Sequence, residues 1–179
     1  MARIKDVEKV KLFCGVLTAS LDFIEDLCAD LEKEFSQIDI KTSPINWDFT
    51  SYYQSQMGSD LKKFLFSFSD LITPDKLSDV KLKTNEIEKK YRSTVPGVDR
   101  PINLDPGYIT LSSMVLASAK PFAHRIYLAR GIYAQVDYIF HSKSGVEFMP
   151  WTYPDYKTKA YLDFFLEMRE RLKLGLKEK

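Results

Sequence analysis

The sequence predicts an α+β protein with a ferredoxin-like β-α-β-β-α-β core, to which a β-meander and a C-terminal helix are added. Two observations lead to this prediction: a β-α-β pattern occurs twice before Thr110, and strictly alternating apolar residues follow it. The length of 179 residues, with 45% hydrophobic and 28% charged residues, is typical of one globular domain. We therefore expect residues 1–179 to form a single α+β domain.

The first β-α-β unit starts with Val10–Leu17, an apolar run with the length of a strand that is buried on both faces. Gly15 within this run indicates a bulge or a close backbone approach. Ser20 offers a helix N-cap, and apolar residues then recur at helical spacing through Phe35. The alternating segment Ile38–Thr42 predicts a half-buried strand, which completes the unit.

The second unit follows an aromatic stretch, Trp47–Gln54, that favours extended structure. Alternating phenylalanines predict a strand over Phe64–Ser69, and we interpret their face as hydrophobic core rather than as a base-stacking surface. Thr73 and Pro74 mark the start of a helix through residue 91, although Val80–Thr84 also alternates as a strand would.

The second unit ends with a short strand at Ile102 and Leu104, before a turn at Pro106-Gly107. Thr110 is then expected to cap a short helix over residues 111–120, which Pro121 ends.

The rest of the chain predicts a meander and a final helix. Strands are expected at residues 125–128, 132–140 and 146–148, with turns at Ala129–Gly131 and His141–Gly145 between them. The middle strand alternates strictly and is the clearest of the three. The last helix is expected to begin at an Asp155 N-cap and to end at Gly175.

The composition excludes several functional classes. Lys and Arg number 26 against 25 Asp and Glu, so the net charge of +1 provides no basic surface for duplex nucleic acid. Cys14 and Cys28 lie in apolar segments and form no Cys-x-x-Cys pair, which argues against a zinc or redox centre and fits a reducing cytoplasm. No apolar run approaches the ~20 residues of a membrane helix, and the N-terminus lacks a signal peptide. We therefore expect a cytoplasmic protein that does not bind membranes.

Five stretches of the chain together resemble the prokaryotic domain-of-unknown-function family DUF 4416, and they are WDFTSYYQSQMG, LKTNEIE, INLDPGYIT, AHRIYLARGIYAQV and MPWTYPDY. The resemblance extends over essentially the whole chain. It implies a prokaryotic protein and brings with it no assigned activity, cofactor or partner. Some similar proteins carry the label "GTP-binding protein".

The motifs of common enzyme classes are missing from the sequence. None of the seven glycines is followed by Lys-Ser or Lys-Thr, so the chain has no P-loop, and no Gly-x-Gly-x-x-Gly occurs. The two histidines form neither a His-Glu-x-x-His zinc motif nor a His-x-Ser/Thr motif, and Gly-x-Ser-x-Gly is absent. Nucleotide binding remains open by another route, with tyrosine stacking on a base and Arg or Lys on a phosphate.

The candidate catalytic residues are His124 and Asp105, as a general acid or base. Arg125 is the candidate anion-binding residue, and Asn103 and Tyr108 are expected to contact the same ligand. The alternatives are a hydrogen-bonded structural histidine and a simple polar turn over residues 103–108. We predict no dedicated metal site, while an oxygen-rich Mg²⁺ site that includes Asp105 stays open.

Further ligand-binding candidates lie in three other segments. The first is Asp48 beside Tyr52 and Tyr53, for which an aromatic edge strand is the alternative. The second is Asn85 with Glu86, where Asn is a poor mid-helix residue unless the helix ends there. The third set consists of Trp151, Tyr153 and Asp155, for which packing and helix capping are the alternative.

Two functional hypotheses follow from these residues. The first is a domain that binds a small anionic or nucleotide-like ligand without a P-loop, with catalysis left open and no cofactor indicated. The second is a non-catalytic interaction module that forms a homodimer through the edge of the meander.

Overall fold

The computed structural model describes residues 3–50, 53–141 and 145–177. Within these ranges the chain is a mixed α and β structure in which an antiparallel sheet of nine strands packs against helices. In chain order the elements are β1 Val10–Thr18, α1 Ile24–Glu34, β2 Ile38–Lys41, β3 Ile45–Asn46, α2 Gln54–Met57, β4 Lys62–Ile72, α3 Leu77–Lys90, β5 Ile102–Ile109, β6 Ser113–Ser118, β7 Ile126–Ala129, β8 Ile132–His141, β9 Gly145–Phe148 and α4 Lys159–Lys177. Short 3-10 turns precede α3 and α4, at Pro74–Lys76 and Asp155–Lys157.

The strand order is β2-β4-β1-β5-β6-β8-β7, with β3 also paired to β4 and β9 to β8. All neighbouring strands are antiparallel. The order places β4 between β1 and β2, and β1 between β4 and β5. Each predicted β-α-β unit is therefore split by a strand of the other unit.

Helices cover both faces of the sheet. Side chains of α1 and α3 pack on one face of β1, β4 and β5, and α4 packs on the other face of these strands and on β6 and β8. Every residue of β1 is buried, which confirms the prediction of a strand buried on both faces. The phenylalanines Phe64, Phe66 and Phe68 lie in the core beneath α1 and α3, as predicted.

Several other predicted elements are confirmed. Val80–Thr84 belongs to α3 rather than to a strand. The β7–β8 hairpin turns at Arg130 and Gly131, whose φ angles of 51° and 78° are typical of a two-residue hairpin turn. Of the turn predicted at His141–Gly145, residues 142–144 lie outside the described residues.

The helix predicted over residues 111–120 is wrong, because this segment forms β6. Met114 and Leu116 pack towards α4, whereas Val115 and Ala117 pack on the α3 side. A strand that is buried on both faces loses the apolar–polar alternation by which strands are recognised. Thr110 is no helix cap, since its hydroxyl accepts hydrogen bonds from the backbone N–H of Ser112 and Ser113 in the β5–β6 turn.

The turn predicted at Pro106-Gly107 is also wrong, because β5 continues to Ile109. Gly107 allows close packing within the sheet. A Cβ atom there would lie 2.3 Å from the Val115 carbonyl oxygen and 2.5 Å from the Phe13 ring. Pairing between β5 and β6 begins at Gly107, one residue after Pro106. Proline has no backbone N–H, and at this position no hydrogen bond to β6 is lost.

Several predicted boundaries are corrected as well. Helix α1 begins at Ile24 without a side-chain cap, and Ser20 contacts Asp22 instead. Asp155 lies in a 3-10 turn ahead of α4, and α4 continues through Gly175 to Lys177. The extended structure predicted over Trp47–Gln54 is wrong where the chain is described, because β3 ends at Asn46 and α2 begins at Gln54; residues 51 and 52 lie outside the described residues.

Candidate functional site

A cavity of about 430 Å³ lies on the α4 face of the sheet, beside the segment that leads into α4. Its volume is in the range of small-molecule sites. The strands β1, β4, β5, β6 and β8 contribute wall residues, and three connecting segments close the cavity: the one after β3, the one between β6 and β7, and the one before α4. The lining residues are Leu17, Trp47, Phe49, Thr50, Tyr53, Lys63, Asn103, Asp105, Leu116, Ala117, Ser118, Lys120, Arg125, Gln135, Tyr153, Pro154, Asp155 and Tyr156.

A buried ion pair forms one end of the cavity. The Lys63 side chain is 2% exposed, and its Nζ lies 2.9 Å from Oδ2 of Asp105. Asn103 donates a second hydrogen bond of 2.7 Å to the same oxygen, and Arg100 donates to Oδ1 of Asn103. The Asp105 side chain is 35% exposed and lines the cavity. Lys63 of β4 lies opposite Leu17 of β1, and Asp105 of β5 lies opposite Gly15, two residues before Leu17. The Lys63 side chain reaches Asp105 by passing over Gly15, which has no side chain in its way.

Each charge of this pair shifts the pKa of the other group in the direction that keeps that group ionised. Burial by itself would raise the pKa of Asp105, but the nearby Lys63 and Lys81 ammonium groups lower it to about 2. Burial by itself would lower the pKa of Lys63, but Asp105 and Asp155 raise it above its ordinary value. Both groups are therefore charged at neutral pH.

Gly15 makes room for this arrangement. A Cβ atom at this position would lie 2.9 Å from Cε of Lys63 and 3.3 Å from the hydroxyl oxygen of Tyr156. The close approach at Gly15 is thus made by two side chains and not by another backbone segment. Tyr156 is 3% exposed, and its hydroxyl has no hydrogen-bond partner within the described ranges of the chain.

Arg125 lies on the opposite wall of the cavity, and His124 lies beside it. Arg125 donates from Nε to Oε1 of Gln135 at 2.7 Å, and also to the Lys120 carbonyl and the Tyr153 hydroxyl. In the parts of the chain that are described, no carboxylate lies within salt-bridge distance of Arg125. Nε2 of His124 lies 3.3 Å from Oε1 of Gln135, and the His124 ring stacks on Trp151 at 4.5 Å.

Gln135 links these two residues to a buried carboxyl group. Its Nε2 donates a 2.8 Å hydrogen bond to Oδ2 of Asp137. Asp137 is fully buried, and burial raises its pKa to about 6 against the lowering effect of hydrogen bonds from Gln135 and Thr152. The Arg125 wall is thus coupled through one amide to a carboxyl group that titrates in the mildly acidic range.

Asp155 joins two of the connecting segments that close the cavity, the one after β3 and the one before α4. Its carboxylate accepts a 3.0 Å hydrogen bond from Nε1 of Trp47 and a longer one from the Tyr161 hydroxyl. The residue is buried and lines the cavity. Its role is therefore to hold the Trp47 segment against the start of α4 rather than to cap the helix.

The structure brings most of the predicted site residues together. Asn103, Asp105, Arg125, Tyr153 and Asp155 line one cavity, and His124 and Trp151 lie beside it.

Four predicted residues lie elsewhere. Tyr108 packs on the opposite face of the sheet, in the cluster of Leu77 and Val115, because successive residues of β5 alternate between the faces. Asn85 and Glu86 lie on α3, and Glu86 pairs with Lys89 in solvent. Asp48 is exposed and does not line the cavity, although its neighbours Trp47 and Phe49 do. Tyr52 lies outside the described residues.

Among the cavity residues that were not predicted, Lys63, Gln135 and Tyr156 are buried and carry polar groups. The sequence does carry a signal for Lys63. Alternate residues of a strand lie on the same face, so Lys63 shares a face with the buried Leu65 and Ser67. A lysine on the buried side of a strand requires a partner. Gln135 has no such signal, because it is in phase with Tyr133 and Asp137 rather than with the alternating apolar residues of β8.

Within the described ranges, no group of three or more His, Cys, Asp or Glu side chains is arranged to hold a metal ion. In the same ranges, no helix has the length and apolar character needed to cross a bilayer. Cys14 and Cys28 are buried free thiols, and burial raises the pKa of Cys14 to about 12, so this thiol is protonated and unreactive at neutral pH.

Fold and site together define an α+β protein with a charged, aromatic-walled cavity against an antiparallel sheet. A family model described as "Domain of unknown function (DUF4416)" matches residues 8–172, which is nearly the whole chain. The chain therefore belongs to this family. Comparisons with curated proteins and with solved structures gave no significant match.

Proposed function

We propose that the chain binds a small anionic, nucleotide-like ligand in this cavity, without a P-loop. The observation that carries the proposal is Arg125, a guanidinium group on the cavity wall with no carboxylate partner in the described ranges. Its contacts with Gln135, Tyr153 and a backbone carbonyl orient the group but leave its charge unbalanced. An anionic ligand would supply the missing charge through paired N–H donors.

The aromatic walls support a ligand with a flat or apolar part. Trp47, Phe49, Tyr53 and Tyr153 all line the cavity. Trp47 stacks edge-on with both Phe49 and Tyr53, so these rings form one continuous surface. Such rings bind planar groups and keep polar edges available for hydrogen bonds.

Any turnover of the ligand would use His124 for proton transfer, within this proposal. Asp105, with its pKa near 2, is a weak base and acts instead as a fixed negative charge. His124 is held by Trp151 and by Gln135, next to the residue that would bind the anion. Its ring therefore lies where a proton can be exchanged with a bound phosphate or carboxylate.

The proposal is tested by a thermal-shift screen with inorganic phosphate, nucleotides and divalent metals. A ligand at 100 times its Kd stabilises the folded state by roughly 2.7 kcal/mol, which raises Tm by several degrees. Arg125→Ala should abolish every anion-dependent shift. Arg130→Ala is the matched control, because Arg130 lies in the β7–β8 turn and pairs with Asp79. The proposal fails if no anion stabilises the unmodified protein.

A second candidate function is supported by the sheet edge. Strand β7 is the last strand in the sheet order and exposes Ile126, Tyr127 and Leu128, which are 70%, 58% and 39% exposed. An apolar edge strand of this kind pairs readily with another chain. We propose a homodimer through β7 as the alternative role. Sedimentation analysis should then show a dimer that Ile126→Lys converts to a monomer, and a monomer at high concentration would contradict it.

We also propose that β2, β4, β1 and β5, with α1 and α3, constitute a ferredoxin-like core. The support is their order and the two split β-α-β units. A cytoplasmic location is likewise a proposal, supported by the two free thiols Cys14 and Cys28.

A further inference from the structure

We infer that the ligand carries an N–H-bearing group opposite its anionic group, and that the Lys63 end of the cavity binds that group. This inference rests on the proposed function and adds the chemistry of the second end of the ligand. It starts from the difference in charge between the two ends of the cavity.

The side chains that line the two ends of the cavity differ in charge. The Arg125 end is lined by two cationic side chains, Arg125 and Lys120. The other end is lined by the carboxylates of Asp105 and Asp155 and by the ammonium group of Lys63, whereas Lys81 and Arg100 do not line the cavity. A ligand that is negative at one end only would place its remaining part against these two carboxylates. A ligand with an amino group at its far end complements both ends.

One carboxylate oxygen at the Lys63 end accepts no hydrogen bond from the described residues. Oδ2 of Asp105 accepts from both Lys63 and Asn103, whereas Oδ1 accepts no hydrogen bond from the described residues. The 35% exposure of this side chain is towards the cavity. An ionised carboxylate oxygen in such a position accepts strong hydrogen bonds from N–H donors.

The Tyr156 hydroxyl is an independent indication of a bound partner. It is buried, lines the cavity and lacks a hydrogen-bond partner among the described residues. Buried hydroxyl groups in native proteins are almost always partnered by protein, water or ligand. Gly15 keeps this hydroxyl next to the Lys63 side chain, so it faces the same part of the cavity as Asp105.

Two kinds of ligand share this chemistry: a nucleotide with an amino group on its base, and an aliphatic amine that carries a phosphate. Matched probe pairs separate them. Adenosine 5′-monophosphate is compared with purine riboside 5′-monophosphate, which lacks only the amino group. O-Phosphoethanolamine is compared with ethyl phosphate, and inorganic phosphate reports on the anion site alone.

Calorimetric titration of the full chain with these five probes tests the inference. We expect the amino-bearing member of one pair to bind about tenfold or more tightly than its partner, as one charge-assisted hydrogen bond would give. Asp105→Asn should make the affinities within the pair equal, while Arg125→Ala should remove binding of both members.

Tyr156→Phe provides a second variant that leaves the Lys63–Asp105 pair intact, and it should lower the preference severalfold. Circular dichroism checks that each variant is folded. Equal affinities within both pairs would overturn the inference and leave the proposed function standing. If none of the phosphates binds the unmodified chain, the proposed anion site itself is refuted.

Discussion

Lys63 holds the inner end of the cavity together, because it is the buried cation that balances Asp105. Its strand neighbours Phe64 and Leu65 are core residues, so the ammonium group cannot reach solvent by a small rotation. The residue is therefore a structural requirement of the site as well as a candidate contact for the ligand.

Lys63→Met should lower the free energy of unfolding by about 2–4 kcal/mol, since it leaves the Asp105 carboxylate without its counter-ion. We expect a smaller loss of unfolding free energy than for a fully buried ion pair, because the Asp105 side chain is 35% exposed. Urea denaturation measures the change. Lys62→Met is the control, because Lys62 contacts Asn46 at the surface, and it should change stability by less than about 0.5 kcal/mol.

Gly15→Ala should destabilise the protein by about 1–3 kcal/mol and weaken ligand binding, because the added methyl group displaces Lys63 and Tyr156. Gly175→Ala is the matched comparison. Gly175 lies in α4, and a Cβ there meets only Leu71 at an ordinary 3.8 Å, so this change should stabilise by up to about 1 kcal/mol. Equal effects of the two substitutions on thermal unfolding would contradict the crowding argued at Gly15.

Asp137 should make stability fall as the pH rises from about 4 to about 6. Its carboxyl ionises near pH 3.8 in the unfolded chain but only near pH 6 in the folded protein, where burial disfavours the charge. The folded state thus binds more protons in this window, and the loss amounts to roughly 3 kcal/mol at most.

Urea melts between pH 4 and pH 7 measure this slope, and Asp137→Asn should remove it. Asp105 has the opposite dependence: its pKa is lowered to about 2, so its contribution is lost only as the pH falls below about 4. The two carboxyl groups therefore titrate in separate windows. An unchanged slope in the Asp137→Asn variant would be inconsistent with a raised pKa.

Among the secondary-structure elements, β6 connects the two halves of the sheet. It pairs with β5 on one side and β8 on the other, and its residues Leu116, Ala117 and Ser118 form part of the cavity wall. The wall therefore includes residues from both the split β-α-β units and the meander. The β5–β6 turn that sets this pairing is closed by the Thr110 hydroxyl.

Thr110→Val should lower the free energy of unfolding by about 1–2 kcal/mol, because the backbone N–H groups of Ser112 and Ser113 lose their acceptor. Thr110→Ser retains the hydroxyl and should cost less than half as much. Denaturant titration compares the two variants. If both cost the same, the hydroxyl does not contribute and only the methyl packing matters.

For the molecule as a whole, the site belongs to the assembled sheet and to no single segment. Lys63 and Asp105 are 42 positions apart in the chain, and Trp47 and Asp155 are 108 apart. The candidate anion-binding residue, Arg125, comes from the segment before β7. The carboxylates of Asp105 and Asp155 come from β5 and from the segment before α4. A ligand in the cavity would therefore contact both halves of the sheet at once.

The amino-acid sequence by itself determined the elements whose pattern is local. The helical spacing of α1, α3 and α4 predicted those helices, because each has one face towards the core and one towards polar surroundings. The alternation of apolar residues predicted β8. It also pointed to Asp105, His124 and Arg125 as polar residues gathered in one stretch, and all three are found in or beside one cavity.

Only the tertiary structure decided the identity of β6, the face on which Tyr108 lies and the partners of the buried polar residues. Strand β6 was mistaken for a helix because burial on both faces removed its alternation. Tyr108 was assigned to the site although the alternation of β5 turns it to the opposite face. Lys63, Gln135 and Tyr156 acquire their significance from strand register and from contacts between distant segments. The physical reason is that periodicity encodes which face of an element is buried, whereas the partners of a buried polar group are set by the packing of the whole chain.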